Sequence, residues 1–138
     1  MMFNKDNPHE QYAEKMSATA IEYAQSFDKD LNYSKESIRD LDAILEYYHT
    51  DMKVNQPTEG QLWSMATIFG SYLGETMLKN GLADNLYNWD MHEDFNHLML
   101  IDENESFINP IDKVYKRLIN GMEDSVISFY DVVMEMEQ

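Results

Sequence analysis

The segment most informative about the architecture covers residues 58–81 and reads TEGQLWSMATIFGSYLGETMLKNG. Thr58 and Gln61 have the spacing of a capping box, and an Asn-Gly pair closes the segment, which predicts a helix over about 59–79. Apolar side chains would lie around most of the circumference of this helix. A helix of that kind is buried on several sides, so we expect it to be central.

Two glycines, Gly70 and Gly74, lie four residues apart in this helix. Each costs roughly 1 kcal/mol of helix propensity relative to alanine, so we expect another element to cross at close range there. Glu75 follows directly, and a buried carboxylate needs a partner or a raised pKa. We predict a buried pair with a basic residue of the last helix, with Arg117 favoured over Lys116 or a backbone amide.

Apolar residues that recur every three or four positions predict further helices before and after this segment. Two of them precede it, with Asn7 as the N-cap of the first and Ser34 as the N-cap of the second. The first has a weak apolar face and should pack over the outside of a core formed by residues 34–138. In the last, Asn120 and Gly121 favour a break into two helices over one kinked helix. These helices cover about 8–27, 35–50 and 111–136.

From residue 86 the apolar residues recur at every second position instead of every third or fourth, which is typical of strands, and this part of the chain extends to residue 108. Tyr87, Trp89 and Met91 alternate with polar residues, a nearly continuous apolar run follows at 97–101, and polar residues then make a turn. We predict a three-stranded antiparallel meander. Residues 1–138 should therefore form one α+β domain, with four to five helices around a small sheet.

Between Lys79 and Lys113 the chain runs for 33 residues without a lysine or arginine and includes eight acids. The whole chain carries 26 acidic against 10 basic residues, a net charge of −16. This charge argues against direct binding to nucleic acid or to an anionic membrane and indicates a basic protein partner. We predict that the partner-binding acids are Asp84, Asp90, Glu93, Asp94, Asp102, Glu103 and Glu105.

The sequence predicts no catalytic residue, metal ion or cofactor. His92 and His97 lack the H-E-x-x-H spacing of a zinc site and are expected to be exposed loop histidines, although a turn could bring them together. The acidic run at 102–105 lacks the central glycine of a calcium loop. Cysteine is absent, no apolar run approaches the ~20 residues of a membrane span, and no secretory signal is visible. We expect a cytoplasmic protein, and the oligomeric state stays open.

Scattered positions over residues 34–133 form a pattern that can be compared with known families. In chain order they are Ser37-Ile38-x-x-Leu41-Asp42-x-Ile44-Leu45, Trp63, Gly70-x-Tyr72-Leu73-Gly74-Glu75, Trp89, Pro110-x-x-Lys113-Val114-x-Lys116-Arg117 and Gly121-x-x-Asp124-Ser125. The pattern resembles small bacterial domains of unknown function, some of which lie beside polymorphic toxins and are regarded as immunity proteins. The resemblance implies a compact α+β domain and favours binding over catalysis, and no catalytic role comes with it.

Three functions remain open. The first in rank is an inhibitor or immunity protein whose acidic face covers a basic surface, such as the nucleic-acid channel of a nuclease or another DNA-handling or defence enzyme. An alternative is a small enzyme or ligand-binding domain that uses Glu75 in a pocket lined by Trp63 and Tyr72. The third is a structural or regulatory domain whose negative charge only provides solubility.

Overall fold

The computed structural model describes residues 7–95 and 97–138. Its strands form one antiparallel sheet in the order β1-β2-β3, which confirms the predicted meander and the single α+β domain. Short 3₁₀ turns follow the third and fourth helices. The elements in chain order are α1 (Pro8–Gln25), α2 (Ser37–Asp51), α3 (Glu59–Lys79), β1 (Asn88–His92), β2 (His97–Ile101), β3 (Phe107–Ile108), α4 (Pro110–Asn120) and α5 (Val126–Met136).

Helix α3 is the centre of the domain. Its residues 69–78 are all buried, and it packs against both α1 and α4. The predicted capping box is present, because Gln61 N–H donates to Thr58 Oγ1 at 3.1 Å and Thr58 N–H donates to Gln61 Oε1 at 2.9 Å. At the other end Gly81 has φ 150°, a conformation that favours glycine. Both predicted ends are confirmed.

The two glycines of α3 mark the predicted close crossings. A Cβ atom at Gly70 would lie 2.5 Å from Ile111 Cα, so the start of α4 occupies the space a side chain would need. At Gly74 a Cβ atom would overlap the indole ring of Trp89. The glycines therefore let α4 and β1 approach the backbone of α3 directly.

Helix α1 belongs to the core, which corrects the prediction of a peripheral helix. Ala13, Ala20 and Ala24 are fully buried against α3. Alanine contributes little to a hydrophobic pattern, yet its small side chain permits close packing of two helices. As predicted, Asn7 is the N-cap: its Oδ1 accepts from His9 N–H at 3.0 Å. Its Nδ2 also donates to the carbonyl oxygen of Trp89 at 3.1 Å, which ties α1 to β1.

One helix boundary differs from the prediction and another agrees with it. Helix α2 begins at Ser37 instead of residue 35, because Ser34 caps a preceding turn through a 3.1 Å bond from Ser37 N–H to Ser34 Oγ. The predicted break after α4 is confirmed: Gly121 has φ 80° and opens a 3₁₀ turn that ends at Asp124. Helix α5 then starts at Val126, with Ser125 as its N-cap: Ile127 N–H donates to Ser125 Oγ at 3.2 Å.

Candidate functional site

The predicted partner-binding acids lie on the sheet and its connections. Six are exposed, whereas Asp102 is half-buried and accepts backbone N–H bonds from Asn104 at 2.9 Å and Ser106 at 2.8 Å. Asp102 therefore shapes the β2–β3 turn as well as adding charge. Three of the acids, Asp90, Asp102 and Glu103, line one shared depression. We call the full set the acidic rim: Asp84, Asp90, Glu93, Asp94, Asp102, Glu103 and Glu105.

Aromatic side chains are exposed in the same part of the chain. Phe95 is 56% exposed in the β1–β2 turn, and Phe107 is 46% exposed in β3. Their ring centroids are 5.6 Å apart, and the His92 ring lies 4.7 Å from Phe95 and 4.9 Å from Phe107. We call His92, Phe95 and Phe107 the aromatic cluster. The sequence patterns did not single out either phenylalanine as a candidate site residue.

A mainly apolar groove of about 470 Å³ opens beside this cluster. Trp63 of α3 forms one wall, and its indole stacks on Tyr115 at a centroid distance of 3.9 Å. Tyr115 is fixed in turn, because its hydroxyl donates to the Glu59 carboxylate at 2.9 Å. We call it the Trp63 groove, and it is lined by Trp63, Phe95, His97, Met99, Phe107, Asn109 and Asp112.

Glu75 and Arg117 are both buried, as predicted, but the predicted pair between them is wrong. Trp89 Nε1 donates to Glu75 Oε2 at 3.0 Å. Arg117 instead donates to Asp42 Oδ1 at 3.0 Å and to Glu46 Oε1 at 2.9 Å. Burial raises the pKa of the Glu75 carboxyl, and the hydrogen bond from Trp89 partly opposes that rise. The two charged groups thus belong to separate junctions of the core.

The predicted pocket around Glu75, Trp63 and Tyr72 does not form. Tyr72 is fully buried, and its hydroxyl accepts from Tyr33 N–H at 2.8 Å and bonds to Ser37 Oγ at 2.6 Å. Trp63 lines two grooves, and neither contains Glu75 or Tyr72. Their roles are therefore distinct: Trp63 belongs to the surface, whereas Tyr72 and Glu75 hold elements together inside.

The two histidines are not the exposed loop residues that were predicted. His92 and His97 are direct cross-strand partners of β1 and β2, and both are half-buried. Asp94 N–H donates to His92 Nδ1 at 3.2 Å, and the His97 ring packs edge-on against Trp63. Within residues 7–95 and 97–138, no three His, Asp or Glu side chains are placed to hold a metal ion.

No helix in the described part of the chain has the length and apolarity needed to cross a membrane. Comparisons of the chain with protein-family models, curated proteins and solved structures found no match. The resemblance to small bacterial domains of unknown function therefore stays a prediction. The acidic rim, the aromatic cluster and the Trp63 groove lie in the same part of the surface, with Phe95 and Phe107 shared by the cluster and the groove.

Proposed function

We propose that this protein binds and inhibits a basic protein partner, such as a toxin, a nuclease or another DNA-handling enzyme, through its acidic rim and aromatic cluster. The observation that carries the proposal is the exposure of Phe95 and Phe107 inside a segment that has no lysine or arginine. Acids alone would be explained by solubility. Two neighbouring exposed phenylalanines add an apolar patch, and such patches mark interaction sites.

The two features would act at different stages of binding. Exposed acids attract a basic partner over distances of about 10 Å at 0.1 M salt and so raise the association rate. The rings of Phe95 and Phe107 would then lose water against the partner and slow dissociation, as aromatic anchors do. An acidic surface of this kind competes with nucleic acid for the same basic channel, which is a physical route to inhibition.

The expectation of a cytoplasmic protein belongs to the same proposal, because a partner that acts on nucleic acid would be met inside the cell. The resemblance to domains found beside toxins adds weight to an immunity role. It does not identify the partner, so the experiment must do so.

The experiment uses the chain to capture partners from an extract of its own host and then measures binding with purified protein. A rim variant replaces Asp90, Asp94, Glu103 and Glu105 by their amides, which keeps shape and removes four charges. Because these four acids are exposed, the unfolding midpoint should stay equal or rise slightly as self-repulsion falls. The association rate should fall about tenfold or more at low salt.

A matched control removes the same number of charges elsewhere, as amides at Glu22, Asp30, Glu123 and Glu135, all of which are exposed outside the rim. We expect the control to bind nearly as fast as the parent. Equal losses in both variants would show that only net charge matters. No loss in either would show that the rim is merely solvated and would refute the proposal.

A further inference from the structure

The Trp63 groove is built to receive one large side chain. The Trp63 wall is held in place before binding, because Trp63 is stacked on Tyr115 and Tyr115 is bonded to Glu59. Its lining includes Met99, which is 2% exposed and whose flexible thioether adapts to an occupant. A preformed apolar pocket costs little conformational entropy on binding, so it can supply affinity that the acids alone cannot.

The charges around the groove restrict the occupant. Asp94 directly precedes Phe95, Glu105 lies two residues before Phe107, and Asp112 is itself part of the lining. Groups that enter beside these acids are favoured if they are cationic. A second copy of this chain would bring one acidic rim against another, and an anionic lipid or nucleic acid would be repelled in the same way.

From this combination we infer that the Trp63 groove binds a short basic segment of the partner, in which one large apolar side chain enters the groove and flanking lysines or arginines face the acids. This inference rests on the proposed function and specifies the partner's chemistry. The side chain would contact Trp63, Met99 and Phe107. The cations would lie near Asp94 and Glu105, because Asp112 is already paired with Lys116 at 3.1 Å.

The test uses three labelled peptides and fluorescence anisotropy with the full chain. The first has one leucine between two pairs of lysines, the second has serine in place of leucine, and the third keeps leucine but has glutamates in place of the lysines. We expect the leucine-lysine peptide to bind about tenfold or more tightly than either of the others, because apolar anchors dominate affinity and acids repel acids. The methyl NMR signal of Met99 should shift with that peptide.

Site variants localise the binding. Phe107→Ser should weaken the leucine-lysine peptide about tenfold, whereas Tyr47→Ser, which alters an aromatic side chain of α2 that is 55% exposed, should leave it unchanged. Both positions are exposed, so both variants should fold. Unfolding midpoints within a few degrees of the parent's would verify this.

Other outcomes separate the two hypotheses. If the lysine peptides with leucine and serine bind equally, the acids attract cations but the groove has no role, so the inference fails while the proposed function stands. If the leucine-glutamate peptide binds as tightly as the leucine-lysine peptide, the groove binds apolar side chains whatever the flanking charge, and the inference that its occupant is basic is wrong. If no peptide binds and the Met99 signal is unmoved, the inference is refuted, and the partner-capture experiment judges the proposed function separately.

Discussion

Replacing Gly70 by alanine should test whether the close crossing of α3 and α4 organises the domain. The added Cβ would lie 2.5 Å from Ile111 Cα, 2.9 Å from Ile111 Cγ1 and 3.0 Å from Ile111 N. Two of these atoms are backbone, so α4 itself must move. Overpacking of this kind costs about 1 to 3 kcal/mol, and a rigid neighbour places it at the upper end. Alanine favours the helix by roughly 1 kcal/mol relative to glycine. The expected net decrease in the free energy of unfolding is therefore about 2 kcal/mol.

For a domain of this size, that loss lowers the thermal midpoint by roughly 8 °C. Urea unfolding followed by circular dichroism gives the free energy directly. Gly60→Ala is the control, because the nearest atom to its added Cβ is Thr58 Oγ1 at 3.9 Å, an ordinary contact. The control should be as stable as the parent or more so. A Gly70→Ala variant at least as stable as Gly60→Ala would refute the tight crossing.

Two further predictions concern the buried charges. Arg117→Met should lower the free energy of unfolding by about 3 kcal/mol, because Asp42 loses its cation in the core. The control variant Lys116→Met changes the exposed face of α4 and should lower it by less than about 1 kcal/mol. Equal urea midpoints for the two variants would contradict this prediction. For Glu75, a folded-state pKa above the unfolded value means that the folded protein binds more protons, so its contribution to stability is full at low pH and is lost as pH rises through the folded pKa. Glu75→Gln should therefore gain stability relative to the parent as the pH rises above the ordinary glutamate pKa of about 4.3, and a difference in urea midpoint that does not change with pH would show that burial does not raise the pKa of Glu75.

Local signals in the sequence were sufficient for most of the fold. The capping box at Thr58, the glycines at the crossing and the break at Gly121 each involve residues close together in the chain, and each is present in the structure. The position of α1 was predicted wrongly, because buried alanines give almost no periodic signal. The partner of Arg117 was also missed, since it depends on which face of α4 meets α2.

The candidate site was predictable only in part. Six of the seven acids are exposed, as charged residues in turns usually are. Phe95 has polar neighbours on both sides, and Phe107 is followed by a single apolar residue, Ile108, so neither belongs to an apolar run long enough to show a period of two or of 3.6. Their proximity arises from the meander, which brings residues twelve positions apart to a ring separation of 5.6 Å. Such a cluster is visible only after folding.

The hydrogen bonds that the Asp42 carboxylate accepts bear on the order in which parts of the chain fold. Besides Arg117, it accepts from the N–H of Val126 at 3.0 Å, so it joins α2 to positions 75 and 84 residues further along. Contacts this distant require a large loop to close first, which makes them slow to form. The amide of Val126 should then exchange its hydrogen with solvent only when α5 separates from α2. Protection of that single amide would report how firmly α5 is docked on α2.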